Sequence, residues 1–119
     1  MKTFRDLLIW QKAMNLATAT YQITKTLPKE ELFGLTSQVR RCSISIPSNM
    51  AEGYGRNGNK EFSRFLNIAI GSLFEYQTQI EIAKNINYIN ETIFNQLYND
   101  SRELEVMMIS FARKVNPAN

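Results

Sequence analysis

The sequence predicts an all-α protein, an antiparallel up-down-up-down four-helix bundle. Three observations carry that expectation. Four stretches of roughly 20 residues place apolar side chains every three or four positions, the spacing of one face of an α-helix. The segments between them are short and carry Pro, Gly and Asn, residues that end helices and make turns. Loops this short leave consecutive helices little choice but to run antiparallel, each about 30 Å long. At 119 residues, 44% of them hydrophobic, the chain fits one domain, residues 1–119, with enough core to fold without staples.

The first helix is expected from Leu7 to Leu27, with Thr3 or Asp6 supplying the N-cap oxygen. Leu7, Trp10, Met14, Ala17 and Tyr21 form its core stripe. Ile9, Ala13, Leu16, Ile23 and Leu27 form a second apolar set, opposite or on the flank, which a lone amphipathic helix does not need. Pro28 stops the helix, because it lacks an amide hydrogen and restricts Leu27. Lys29, Glu30 and Glu31 then begin a new turn or a helix, with acidic groups well placed for its N-terminus.

The second helix, from Phe33 or Leu35 to Tyr54, carries two stripes. Stepping about 100° per residue puts Leu35, Val39, Cys42, Ile46, Met50 and Gly53 on one apolar or small face. Gln38, Arg41, Ser45, Asn49 and Glu52 fall on a second row about a quarter turn away. Pro47 lies inside the helix and removes one backbone bond, at a cost of about 3 kcal/mol if nothing compensates. Both stripes keep their phase across it, which favours a continuous kinked helix over a break at Ile46. Cys42 is the single cysteine; on the core face it reads as a small buried hydrophobe, not a reactive thiol.

Gly53-Tyr54-Gly55-Arg56-Asn57-Gly58-Asn59 is the clearest breaker, with Asn57 or Asn59 capping the third helix. That helix runs from Lys60 to Asn85 on a stripe of Phe62, Leu66, Ala69, Leu73, Tyr76, Ile80 and Ala83. Ile68, Gly71 and Ile82 lie near its opposite side, and Glu75 and Gln79 lie between the faces. Asn90 caps the fourth helix, Glu91 to Val115, whose stripe is Ile93, Leu97, Leu104, Met108, Phe111 and Val115, and Pro117 ends it. Helices one and three thus carry more apolar surface than one bundle uses. A homo-oligomer burying Ile9, Leu16, Ile68, Gly71 and Ile82 is the expected consequence.

The polar row suggests a structural network. Gln38, Arg41, Ser45, Asn49 and Glu52 are expected to meet Ser72, Glu75 and Gln79 of the third helix, an Arg–carboxylate pair being the strong form of such a contact. The alternative, Glu52 or Glu75 as a catalytic acid or base, lacks a nucleophile–base pair, so the chain reads as a non-enzyme. It has no histidine, which removes the commonest general base and metal ligand together, and it implies neither metal nor cofactor. The loop GYGRNGN follows no strand and is not a dinucleotide fingerprint.

Net charge is +3 and uneven. Residues 1–60 hold nine Lys/Arg and four Asp/Glu, giving +5, and residues 61–119 hold five and seven, giving −2. Arg40, Arg41, Arg56, Lys60 and Arg64, with Tyr54 among them, form a candidate nucleic-acid surface. Repeated in each copy of a homo-oligomer, they would contact phosphates without regard to sequence, and Tyr54 would stack on an unpaired base. No run of about 18 apolar residues is present, so no membrane span is expected. Asp6 and Lys12 interrupt the apolar N-terminal stretch, which does not read as a secretory signal. A cytoplasmic location is the default expectation.

Several pieces of sequence together resemble a known family. They are Phe4-x-x-Leu7 with Trp10-Gln11-Lys12-Ala13, Pro28-x-x-Glu31-x-Phe33-Gly34-Leu35, Gln38-Val39-Arg40-Arg41, Ser45-Ile46-Pro47-Ser48-Asn49-Met50-Ala51-Glu52-Gly53, Gly55-Arg56, and Phe65-Leu66-x-x-Ala69-x-Gly71-Ser72-x-x-Glu75. They resemble the bacterial four-helix bundle proteins, also called the 23S rRNA intervening-sequence or S23 family, over nearly the whole chain. The S-I-P-S-N-x-A-E-G run combined with G-S-x-x-E is the specific part. The resemblance implies a four-helix bundle in a ring-like homo-oligomer, a pentamer. Some members are encoded within insertions in 23S rRNA genes. A related branch serves diversity-generating retroelements as basic barrels that bind nucleic acid and a reverse transcriptase. The implied partners are therefore RNA or DNA, or a protein such as a reverse transcriptase. For most members no activity is established, and a charge of +3 is weak for a basic barrel.

Overall fold

The computed structural model describes residues 3–116 and is all-helical, with four helices and no strand among the described residues. The helices are α1 (Leu8–Thr24), α2 (Leu35–Tyr54), α3 (Asn59–Asn85) and α4 (Glu91–Val115). Each packs on the next, and α4 closes on α1; the α2–α3 seam is the most extensive and the α1–α4 seam the thinnest. The molecule measures 43 × 22 × 21 Å. Its long axis matches the roughly 40 Å that 27 residues span at 1.5 Å each. Pro117 lies outside the described residues.

The ends of α1 differ from expectation. Thr3 and Asp6 cap a separate 3-10 turn, Phe4–Asp6: Arg5 N–H donates to Thr3 Oγ1 and Thr3 N–H to Asp6 Oδ2, both at 3.1 Å. The helix itself starts behind Leu7 with no side-chain cap. It also stops at Thr24, three residues before the expected end. There the last turn tightens, Thr26 N–H reaching Ile23 O and Leu27 N–H reaching Thr24 O, because Pro28 denies Leu27 the helical region.

Helix α2 runs unbroken through Pro47. Its N-terminus is capped from a distance. Glu31 Oε1 accepts from Leu35 N–H at 3.1 Å, while Glu31 Oε2 accepts from Tyr88 O–H at 2.8 Å. These bonds to the charged form hold the Glu31 carboxyl below its ordinary value of 4.5, the Leu35 amide contributing most and Tyr88 next. A depressed folded-state pKa gives stability that is present above about 4.5 and lost as pH falls through the folded value. The stability gap between the protein and Glu31→Gln, measured by urea denaturation, should therefore shrink as pH falls from about 6 to about 3. An unchanged gap over that range would discard this account.

Two turns are set by backbone conformation. Gly58 precedes α3 at φ 88°, a value that suits glycine, and no asparagine side chain caps the helix; the Asn57 or Asn59 cap is corrected accordingly. At the other end of α3, Asn87 sits at φ 65°. Tyr88 N–H reaches Ala83 O and Asn87 N–H reaches Lys84 O, the paired bonds that close a helix on a left-handed residue. Asn90 Oδ1 then accepts from Ile93 N–H at 2.7 Å and caps α4 as expected.

The core uses the expected stripes of α2 and α3 and most of that of α4, to which it adds Phe94. Helix α1 is turned differently. Ile9 and Leu16, each 4% exposed, are inside the bundle with Ala13, Ala17, Thr20 and Thr24. They cannot form an oligomer interface, and that expectation is corrected. The other set, Trp10, Met14 and Tyr21, lies about a quarter turn from the core direction and only partly covered. Periodicity found two stripes on α1 but could not say which one faces inward. Inside, Thr20 Oγ1 donates to Leu16 O, and a 2.7 Å hydrogen bond joins it to Tyr76 O–H of α3.

Candidate functional site

The outer edge of the α2–α3 seam is polar. Ser45 Oγ and Ser72 Oγ share a hydrogen bond of 2.8 Å across the seam. Asn49 Nδ2 donates to the carbonyl and hydroxyl oxygens of Ser45 at 2.8 and 2.9 Å. Gln79 Nε2 reaches Gln38 Oε1 at 3.4 Å, a long contact, and buried Gln79 Oε1 has no hydrogen-bond partner among the described residues. Glu75 Oε2 accepts from the Cys42 thiol at 2.9 Å. Burial first, then the bond to Glu75, pushes that thiol up to about 12. It is therefore a neutral donor and a poor nucleophile near neutral pH.

The seam gathers Gln38, Ser45, Asn49, Ser72, Glu75 and Gln79 of the expected network. It does not gather the other two. Arg41 is exposed on the rim and makes no ion pair among the described residues, so no Arg–carboxylate pair spans the seam. Glu52 points away and pairs with Arg56 at 2.9 Å. A groove of about 580 Å³ opens along the row, lined by Phe33, Gln38, Arg41, Cys42, Glu75 and Gln79 among others. Glu52 and Glu75 thus have separate partners and do not converge on a reacting centre.

The basic set divides into two groups. Thirteen residues of helix, about 20 Å of rise, separate Arg41 from the end of α2 at Tyr54, and Arg56 lies two residues beyond. Arg40 Nε–H donates to Thr24 Oγ1 at 2.8 Å, and its guanidinium lies 4.6 Å over the Tyr21 ring. Arg56 and Arg64 flank the Phe65 ring at 5.2 and 4.9 Å, and each pairs with a glutamate, Glu52 and Glu61. Lys60 is exposed between them. Tyr54 is half-buried, edge-on to Phe62 with ring centroids 6.0 Å apart. The most exposed ring among the described residues is Phe33, at 93%, ahead of α2 and beside Arg40 and Arg41. Its place in a turn, outside both stripes, was the only sequence sign of this.

A groove of about 440 Å³ between α1 and α4 holds Leu8 and Val106, 56% and 61% exposed, and two further apolar areas stand apart from it. One is a groove of about 530 Å³ between α1 and α2, lined by Trp10, Met14, Tyr21, Ile44, Pro47 and Ala51 among others. The other is the outer surface of α3, where Ile68 and Ile82 are 41% and 45% exposed, with Ile86 following at 47%. Gly71 lies on the same surface, and a Cβ there would meet nothing within 4 Å. Sequence reasoning also missed a polar link between α3 and α4. Gln77 donates to Ser101 and Glu105, and Arg102 pairs with Glu105 at 2.7 Å. Among the described residues, no group of acidic or cysteine side chains could hold a metal ion, and no helix is long and apolar enough to cross a membrane.

Three comparisons bear on this arrangement. The sequence model of the family described as 23S rRNA-intervening sequence protein matches residues 5–110. A crystal structure of a protein with unknown function from the S23 ribosomal protein family of Bacteroides thetaiotaomicron VPI-5482 superposes with a TM-score of 0.83. The two are 24% identical, and the match covers 89% of this chain and 99% of that one. At that identity the likeness concerns the fold. No curated protein matches the chain.

Proposed function

The chain belongs to the 23S rRNA-intervening sequence protein family, and on that premise we propose that it is a non-enzymatic cytoplasmic protein that assembles head-to-tail into a ring and binds RNA. The observation that carries the assembly is that the exposed apolar areas include two unlike ones, the α1–α2 groove and the outer surface of α3. A two-fold dimer uses one patch twice, whereas a ring joins two different patches. The family resemblance supports five copies. Each copy would add the rim of Arg56, Lys60 and Arg64, giving sequence-independent and salt-sensitive phosphate contacts.

The test uses one variant for each area, Met14→Glu in the groove and Ile82→Glu on α3. Light scattering should show a ring for the parent chain and monomers for each variant. Mixed together, the two variants should form a dimer, since each retains the area that the other lacks. Monomers in the mixture would reject the head-to-tail geometry. A parent chain that is monomeric at micromolar concentration would reject the ring. For RNA, retention on an immobilised strand at about 50 mM salt should be largely lost by about 200 mM. No retention at the lower salt would remove RNA from the proposal.

A further inference from the structure

The polar groove between α2 and α3 has a feature that helix packing does not use. Gln79 is 8% exposed, yet its Oε1 has no donor. A buried acceptor left unpaired costs free energy that folding alone does not return. Its amide is held by the 3.4 Å contact to Gln38 and by a hydrogen bond with Cys42, which leaves Oε1 as its unpartnered atom beside the groove. Glu75 lines the same groove; its Oε2 is engaged by the Cys42 thiol, and no hydrogen bond from the described residues occupies its Oε1. Two acceptors therefore await N–H donors. Arg41, without an ion pair among the described residues, offers a cation on the rim, and Phe33 offers an almost fully exposed ring.

We propose that this groove is a nucleotide site that prefers guanine, with the base stacked on Phe33, its edge donating to Gln79 and Glu75, and its phosphate on Arg41. Guanine places two neighbouring donors, N1–H and the N2 amine, on one edge, which suits two neighbouring acceptors. Uracil offers a single N–H on that edge. The Glu75 carboxylate opposes a phosphate in the groove but favours the donor edge of the base, so the phosphate belongs at the rim with Arg41 and the adjacent Arg40. Ser45 and Ser72 supply hydroxyls for the ribose. The site goes beyond the RNA reading and does not depend on it, since free nucleotide and an unpaired guanosine in RNA present the same groups.

Guanosine monophosphate titrated into the intact protein, followed by amide NMR, tests the site directly. Saturable shifts should centre on Phe33, Cys42 and Gln79, with uridine monophosphate binding more weakly. Phe33→Ala removes an exposed ring and leaves the core untouched, and it should weaken guanosine monophosphate about tenfold. Glu75→Gln should reduce the guanine preference while Arg41→Ala weakens both nucleotides alike. Absence of saturable shifts at millimolar guanosine monophosphate, or equal affinity in Phe33→Ala, overturns the site. Comparing free nucleotide with a uridine pentamer carrying one central guanosine separates the sources: tighter binding of the pentamer assigns the site to RNA, and equal binding assigns it to free nucleotide. RNA retention without any shift in the groove would sink this site and leave the RNA reading standing. Shifts without RNA retention would do the reverse.

Discussion

Gly53→Ala is expected to destabilise the protein by about 1–3 kcal/mol, the usual cost of overpacking a full core. Helix propensity alone predicts the opposite, since alanine gains up to about 1 kcal/mol over glycine inside a helix. Packing decides the sign. A Cβ on Gly53 would stand 2.6 Å from Phe65 Cβ, with Phe62 Cδ1 at 3.1 Å. Phe65 Cβ is fixed to the α3 backbone, so relief requires the two helices to part. Gly71 supplies the control. It lies on an exposed face with open space around the missing Cβ, so Gly71→Ala should stabilise the isolated bundle by up to about 1 kcal/mol. Chemical denaturation of the two variants under identical conditions reads both effects. A stabilised Gly53→Ala would refute the close α2–α3 approach.

Thr20→Val should cost about 1–3 kcal/mol although the two side chains have nearly the same shape. The lost hydroxyl bonds both Leu16 O and Tyr76 O–H, and the latter is fully buried between α1 and α3. Valine leaves that phenol without a partner. Tyr76→Phe removes the phenol and leaves Thr20 its own carbonyl, so it should cost less, about 0.5–1.5 kcal/mol. The double variant should then be more stable than the sum of the two losses predicts. Simple additivity by urea denaturation would show that the hydroxyls do not act as a pair. Burial holds the Tyr76 phenol well above its ordinary range, so its charge plays no part near neutral pH.

The fold was legible wherever one stripe dominated. On α2 the series Val39, Cys42, Ile46 and Met50 keeps phase across Pro47, and the helix is continuous there. On α1 two apolar series compete. The core takes Ile9, Ala13 and Leu16, leaving Trp10, Met14 and Tyr21 to a groove, because position around the axis depends on where neighbouring helices stand. Spacing along one helix contains no such information. The polar row was legible as a row, since its members recur at helical spacing. Its partners were not. Cys42, read as an apolar residue, takes the Glu75 bond expected of Arg41, because the thiol lies on the α3 side of α2 and Arg41 on the rim. The exposure of Phe33 was hidden for a similar reason: it sits in the turn where a helix start was expected, and turns have no period to read.

The broad α2–α3 seam also bears on the order of events as the chain folds. Only residues 55–58 separate the two helices, so the entropy of closing that loop is small. Contacts between such near neighbours in sequence form quickly compared with those joining distant ends. The thin seam between the first and last helices must instead wait for the whole chain to come round. The hairpin of α2 and α3, with its cleft of serines and amides, can thus be assembled early, before either outer helix has settled into place.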